Sequence, residues 1–228
     1  MKFSLIIPCY NENNNLPHLF RKLKKVLNDN LFEVVIVENG STDKSLETIK
    51  KYNLKYKNLK YIKLDKNEGY GNGILRGLEI ATGDFLSWTH ADLQTDPEDI
   101  ITGKKFFLGT NKKVFVKGLR FGRNFKDRFF TIGMSIFCSL ILRTFLWDIN
   151  AQPSIFPASF YKSWKNPPKD FSLDLYAYYQ AKKYGYKIQR IPVRFSSRLH
   201  GISSWNTDFK SKFKFIKRTF LFTMKFTK

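Results

Sequence analysis

Phe85-Leu86-Ser87-Trp88-Thr89-His90-Ala91-Asp92-Leu93-Gln94-Thr95-Asp96-Pro97 is the stretch whose reading decides the fold. Its first five residues form a short apolar run of strand character, which passes without a spacer into a cluster of oxygen and nitrogen ligands. A helix start follows, with Asp96 as cap and Pro97 in the first turn, where a missing N–H costs nothing. In an open α/β sheet, ligands bind at the carboxyl ends of the strands. Asp92, flanked there by His90 and Gln94, is placed to hold a divalent cation against a diphosphate.

Upstream, strand and helix patterns alternate. Phe3 to Ile7 is an apolar run closed by Pro8, and Asn13 to Asn15 offer caps for one helix with Leu16, Leu19, Phe20, Leu23, Val26 and Leu27 on a single face. Phe32 to Val37 reads as a second strand, rich in β-branched residues, and Ser41 to Asp43 cap a short helix. Leu59 to Leu64 is a third strand, followed by the glycine-rich loop NEGYGNG and a helix through Ile74, Leu75 and Leu78. This rhythm predicts an α/β fold, a mostly parallel central sheet with helices on both faces.

Downstream the pattern loosens. Val114 to Gly118 reads as a strand, followed by a loop with Arg120, Arg123, Lys126 and Arg128. Residues 128–147 are expected as one interfacial helix: nearly long enough to span a bilayer, but interrupted by Arg143 and flanked by Asp127 and Asp148. DINAQPSIFP reads as irregular, Ser172 to Tyr184 as a helix stopped by Gly185, and Lys187 to Phe195 as an edge strand because of Pro192. Residues 206–228 carry Phe209, Phe213, Ile216, Phe220 and Met224 at helical spacing among lysines, which predicts a basic amphipathic helix. The expected organisation is a domain over 1–205, with a donor half at 1–100 and an acceptor half at 101–205, plus that helix.

The chain has 228 residues, a formal net charge of +21 and 23 phenylalanines. The charge implies anionic partners. Phenylalanine beside lysine and arginine late in the chain fits a membrane surface better than a nucleic-acid groove, so nucleic acid is not expected as a partner. Cys9 and Cys138 are too few and too distant for a disulfide framework. Met1-Lys2 leads directly into FSLIIP, too short an apolar run for a signal peptide, so a reducing cytoplasmic setting is expected.

At the end of the first strand stands Pro8-Cys9-Tyr10-Asn11-Glu12, and at the end of the second Glu38-Asn39-Gly40-Ser41-Thr42-Asp43. Such side chains can accept hydrogen bonds from a base or ribose, and a tyrosine can stack on a base for about 1–3 kcal/mol. Each motif alone is an ordinary set of caps and turns. Together on one sheet edge with HADLQTD they favour a nucleotide site.

LIIPCYNE at residues 5–12, VIVENGSTD at 35–43, NEGYGNGILRGLEIATGD at 67–84 and HADLQTDP at 90–97 resemble the inverting glycosyltransferases of family 2, with the GT-A nucleotide-diphosphosugar transferase fold. KGLR at 117–120 and IPVRFSSRLHGISS at 191–204 are similar to the polyprenyl-phosphate sugar transferases related to dolichol-phosphate mannose synthase. The resemblance implies that Pro8, Tyr10, Glu12, Glu38, Asn39, Asp43, Gly69, Gly73, Ala91 and Asp92 bind the nucleotide sugar. It implies Mg2+ or Mn2+ on Asp92 with His90 and Gln94, where His90 replaces the first aspartate of the family motif Asp-x-Asp. Asp174 is implied as base or acceptor-positioning group, and Arg198 as a group closing over the diphosphate. Arg120, Arg128 and Ser203 are implied for an acceptor phosphate. Asp148 and Gln152 lie in a segment that departs from the usual acceptor loop.

The implied activity is metal-dependent, inverting sugar transfer from a nucleotide-diphosphate donor to a lipid-linked acceptor, with polyprenyl phosphate ahead of a saccharide of lipopolysaccharide or capsule. The expected location is peripheral, on the cytoplasmic face of the plasma (inner) membrane and attracted to its anionic surface. A basic nucleic-acid-binding protein is the competing class, and a member that binds donor without turnover is the third alternative.

Overall fold

Seven strands, β1 (Phe3–Cys9), β2 (Phe32–Asn39), β3 (Leu59–Leu64), β4 (Phe85–Trp88), β5 (Val114–Phe121), β6 (Ser154–Pro157) and β7 (Lys187–Arg194), form one sheet in the order β3-β2-β1-β4-β6-β5-β7. The computed structural model describes residues 1–109, 113–123, 125–201 and 217–224, apart from the side chains of 126 and 127. β3, β2, β1 and β4 run parallel, as do β5 and β7, while β6 is antiparallel to both of its neighbours. The sheet is therefore mostly parallel, as predicted.

Alternation along the strands divides the core between the two faces. Leu5, Ile7, Val34 and Ile36 point one way, towards Leu16, Leu19 and Phe20 of α1 (Leu16–Lys22) and Val26 and Leu27 of α2 (Lys24–Leu27). Ile6, Val35 and Val37 point the other way, towards Ile74, Leu75 and Leu78 of α4 (Tyr70–Ile80). The central strands are apolar on both faces because helices cover both. The remaining helices are α3 (Ser45–Asn53), α5 (Asp99–Lys104), α6 (Phe125–Ile141), α7 (Ala158–Lys162) and α8 (Ser172–Lys183).

Several expectations change. The single helix over 16–27 is two, interrupted at Leu23, and the interruption leaves Leu23, Val26 and Leu27 all buried. The stretch read as irregular contains β6, whose four residues are buried and pair with β4, Ser154 and Ile155 pairing with β5 as well. A four-residue strand with a proline at its end carries too little periodicity to be seen alone. The interfacial helix over 128–147 is instead α6, starting at Phe125 and ending at Ile141. Arg143 turns the chain at φ 47°, Ser139 Oγ exchanges hydrogen bonds with the Leu146 backbone, and Leu146 and Ile149 go into the core. Core burial beats the helical pattern there. Among the described residues no helix is long and apolar enough to cross a membrane. Of the predicted basic helix over 206–228, residues 217–224 are helical; Phe209, Phe213 and Ile216 lie outside the described residues. Cys9 and Cys138 are free and buried.

Candidate active site

β1, β2 and β4 are in parallel register, with Cys9 beside Glu38 and Ile6 beside Trp88, so the three loops that follow them share one edge. A cavity of about 970 Å³ opens along that edge. Pro8, Tyr10, Glu12, Asn39, Gly69, His90, Ala91, Asp92, Gln94, Arg120, Asp174 and Arg198 all line it.

The first two loops are laced together. Asn11, at φ 54°, donates its backbone N–H to Ser41 Oγ at 3.0 Å, and its side-chain oxygen accepts the Thr42 N–H at 2.8 Å. Asp43 accepts the backbone N–H groups of Asn13 at 3.1 Å and Ser45 at 2.9 Å, so it braces the loops rather than facing the cavity. Glu38 is buried and its carboxylate accepts the Ser41 N–H, which takes it away from the position on base or ribose expected of it. Asn39 does line the cavity: it donates to the Gly69 carbonyl at 3.1 Å and to Asn67 Oδ1 at 3.3 Å, and accepts the Glu68 N–H at 3.2 Å. It thereby shapes the glycine-rich loop. Gly69, at φ 95°, needs the freedom only glycine has. Gly73 is buried beneath, where a Cβ would sit 3.3 Å from Pro8, and it supports the wall without lining it.

Asp92 is nearly buried, and its Oδ1 accepts the Gln94 N–H at 3.1 Å across Leu93, which is held at φ 60°. A left-handed leucine is uncommon and marks a loop whose surroundings fix it. Asp92 Oδ2 meets Arg198 Nη2 at 2.7 Å, and Arg198 Nη1 lies 4.0 Å from Glu12 Oε1. Burial pushes the Glu12 carboxyl upward, and the Asp92 charge adds to this, against the Asn15 hydrogen bond and Arg198. The guanidinium on Asp92 Oδ2 stands where a cation belongs. The Asp92 carboxylate, with Gln94 lining the same cavity, fits Mg2+ or Mn2+, which complete their shells with water and phosphate oxygens. Among the described residues no three His, Cys, Asp or Glu side chains converge as a metal set. His90 instead stacks on Tyr70, with ring centroids 5.2 Å apart.

The opposite wall is built differently. Asp174, on the first turn of α8, is 2% exposed. Its Oδ1 accepts Trp88 Nε1 at 3.1 Å and Gln152 Nε2, and lies 3.7 Å from Lys117 Nζ; its Oδ2 accepts the Tyr70 hydroxyl at 3.2 Å. Lys117 is fully buried, donates to Ser154 Oγ at 3.0 Å, and is brought down to a pKa of about 8 by burial, against the pull of Asp174. Beside it, Arg120 Nε reaches Asp148 Oδ1 at 2.9 Å and the Arg120 N–H reaches Oδ2 at 2.8 Å. Burial opposes the Asp148 charge, but Arg120 outweighs it and holds this carboxyl below its ordinary range. Arg120 and Arg123 both lie over the Phe195 ring and both line the cavity. Arg128 is exposed and does not line it, and Ser203 lies outside the described residues. Past this wall the lining turns apolar, with Phe129, Phe130, Met134, Phe137 and Phe220.

Sequence reasoning missed Tyr70, Lys117, Arg123 and Phe171. An aromatic inside a glycine-rich loop and a lysine inside an apolar strand were the available signals for the first two.

The sequence model of Glycosyl transferase family 2 matches residues 4–162. The dolichol-phosphate mannosyltransferase of Pyrococcus furiosus is 38% identical over 100 residues, which are 44% of this chain and 28% of that protein. The undecaprenyl-phosphate 4-deoxy-4-formamido-L-arabinose transferase of Proteus mirabilis is 33% identical over 102 residues, 43% of this chain and 31% of its own. The aligned regions thus span about a third or less of these relatives. Glucosyl-3-phosphoglycerate synthase from Mycobacterium tuberculosis, solved with UDP, superposes with a TM-score of 0.78 at 13% identity, over 98% of this chain and 79% of that one. A mannosyltransferase from Pyrobaculum calidifontis, solved with GDP-Man and Mn2+, gives 0.67 at 16% identity, over 88% and 58%. The fold is thus the α/β GT-A type, and the chain belongs to glycosyl transferase family 2.

Proposed function

We propose that this chain moves a sugar from a nucleotide-diphosphate donor to polyprenyl phosphate, with inversion, at the cytoplasmic surface of a membrane. The hydrogen bonding of Asp174 supports the choice of acceptor. A sugar hydroxyl acceptor needs a base to take its proton. Asp174 already has Trp88, Gln152, Tyr70 and Lys117 on its two oxygens, so it is poorly placed to be that base. A phosphate monoester is an anion already, and needs positioning and charge neutralisation rather than deprotonation.

The residues divide the work. Tyr10, Glu12 and Asn39 border the space for the nucleoside, and Arg198 exchanges its hold on Asp92 for the departing diphosphate as the donor binds. Mg2+ or Mn2+ held by Asp92, with Gln94 beside it, would supply Lewis-acid stabilisation of that diphosphate. Arg120, oriented by Asp148, and Arg123 offer planar forks matched to an acceptor phosphate. Ser203 remains a proposed partner of the same phosphate. The acceptor attacks the anomeric carbon in line from the side opposite the diphosphate, through an oxocarbenium-like state.

Polyprenyl chains need an apolar path, and the aromatic end of the cavity supports one. Phe129 of α6 lines that end, and Phe125, Ile136 and Leu140 of the same helix, with Phe145 and Leu221, are exposed. Such a surface with basic neighbours suits peripheral attachment to an anionic leaflet, worth about 1 kcal/mol per basic residue near the lipid.

The test offers the purified protein a panel of labelled nucleotide sugars with Mn2+, and either undecaprenyl phosphate or a phosphate-free oligosaccharide. Label is expected in the organic phase with the lipid phosphate alone. Transfer confined to the oligosaccharide would overturn the acceptor assignment, and binding of no nucleotide would overturn the donor assignment.

A further inference from the structure

We propose that His90 is the end ring of a three-ring stack, His90–Tyr70–Phe171, that sets the spacing between the Asp92 loop and the acceptor wall, and that it leaves the cation to Asp92. The proposal rests on the donor reading above.

Three distant segments meet in this stack. His90 follows β4, Tyr70 is the first residue of α4, and Phe171 immediately precedes α8. The Tyr70 ring lies between the others, 5.2 Å and 22° from His90 and 4.5 Å and 10° from Phe171. Both distances are those of favourable ring packing. The middle ring is pinned at its hydroxyl, which donates to Asp174 Oδ2 at 3.2 Å and accepts from Gln152 Nε2 at 3.3 Å. Beyond Phe171 the Arg218 guanidinium lies 5.2 Å from the ring, paired with Asp170 at 3.4 Å, so the ladder continues into the 217–224 helix.

The stack therefore runs from the loop carrying Asp92 to the residue preceding Asp174's helix. Asp92 bears on the donor, and Asp174 sits at the foot of the acceptor wall. Ring thickness then fixes how far the Asp92 loop is held from the acceptor wall. A short carboxylate at position 90 could not make that contact. The failure of His90, Asp92 and Glu12 to converge as a metal set agrees with a packing role for the imidazole. His90 is on this account a positioning residue.

The experiment compares wild type with His90→Phe, His90→Ala and Tyr70→Phe in the full chain. UDP, GDP, CDP and ADP are screened with Mn2+ by calorimetry on wild type, and the tightest is used for a Mn2+ titration of each variant. Half-saturation with Mn2+ is expected to change little in all three. Transfer by His90→Ala is expected to fall about tenfold or more, as misplaced reacting groups do, and His90→Phe, which keeps a ring, recovers most of it. Tyr70→Phe is expected to lower kcat with little change in donor KM, since the stack persists while its anchor on Asp174 is lost. A need for about tenfold more Mn2+ in His90→Phe would make the imidazole a metal ligand and overturn the proposal. Wild-type transfer by His90→Ala would overturn it as well. Failure of wild type to bind any of the four nucleotides sinks the donor reading itself, a result separate from either.

Discussion

The two walls of the cavity carry similar charged groups but treat them oppositely. On the wall proposed for the acceptor, Lys117 and Asp174 are 0% and 2% exposed, and each is held by partners drawn from β4, β5, β6, α4 and α8. On the side proposed for the donor, Asp92 is held by one guanidinium and one backbone N–H, in a loop with a left-handed leucine, and Arg198 is partly exposed. The difference follows from the cost of burying charge. A sealed ion is tolerated only when its hydrogen bonds are complete, and such a network cannot exchange partners easily. A charge meant to meet a cation or a diphosphate must keep a partner it can give up. On the proposed reading, the wall around Asp174 is a fixed scaffold, and the rim around Asp92 is a clamp able to exchange partners.

Lys117→Met tests the scaffold most severely. It leaves Asp174 without its ammonium in a buried site, and chemical denaturation is expected to show a loss of about 3–5 kcal/mol. A loss below about 1 kcal/mol would put the floor on a par with a surface pair and erase the contrast.

A second paired carboxylate, Glu33 near the amino end of β2, tests the same idea through pH. Burial disfavours the Glu33 charge, but Ser4, the Thr82 backbone and Lys60 outweigh burial and lower its pKa to about 2. A depressed carboxylate stabilises the fold above its ordinary value of 4.5, and that stabilisation is lost as pH falls through about 2. Wild type should therefore lose about 3 kcal/mol more than Glu33→Gln between about pH 5 and pH 2, measured by denaturant unfolding.

Asp92→Asn addresses the clamp. Transfer should fall about a hundredfold, equivalent to about 2.7 kcal/mol of transition-state stabilisation, while the melting temperature moves by only a few degrees. Equal activity in the variant would remove Asp92 from the chemistry. At the small end, Glu79→Gln breaks the half-exposed Arg76–Glu79 pair of 2.7 Å, and a stability change within about 0.5 kcal/mol is expected.

Legibility followed the same divide. Strands β1, β2 and β4 are largely apolar runs that end in polar clusters, so the strands, their shared carboxyl edge and the side chains Tyr10, Asn39 and Asp92 at it could be read locally. β6 could not, because its four residues acquire strand character only by pairing with β4 and β5. Glu38 shows a related effect and does not line the cavity. Its composition suits a ligand, but a backbone N–H three residues away, that of Ser41, claims it first. Arg128 stands in the right segment, yet Arg123, five residues earlier, faces the cavity because it packs on Phe195 from β7's end.

By itself, the sequence determined the α/β class, the edge of the sheet that carries the site, and the family, because those depend on periodicity and on short motifs that act within a few residues. Only the tertiary structure decided that Asp174 is hydrogen-bonded on both oxygens, that His90 is stacked and that Lys117 is buried. Each of these is a contact between segments tens of residues apart. Such contacts are set by how helices pack across a twisted sheet, and no local pattern records that packing.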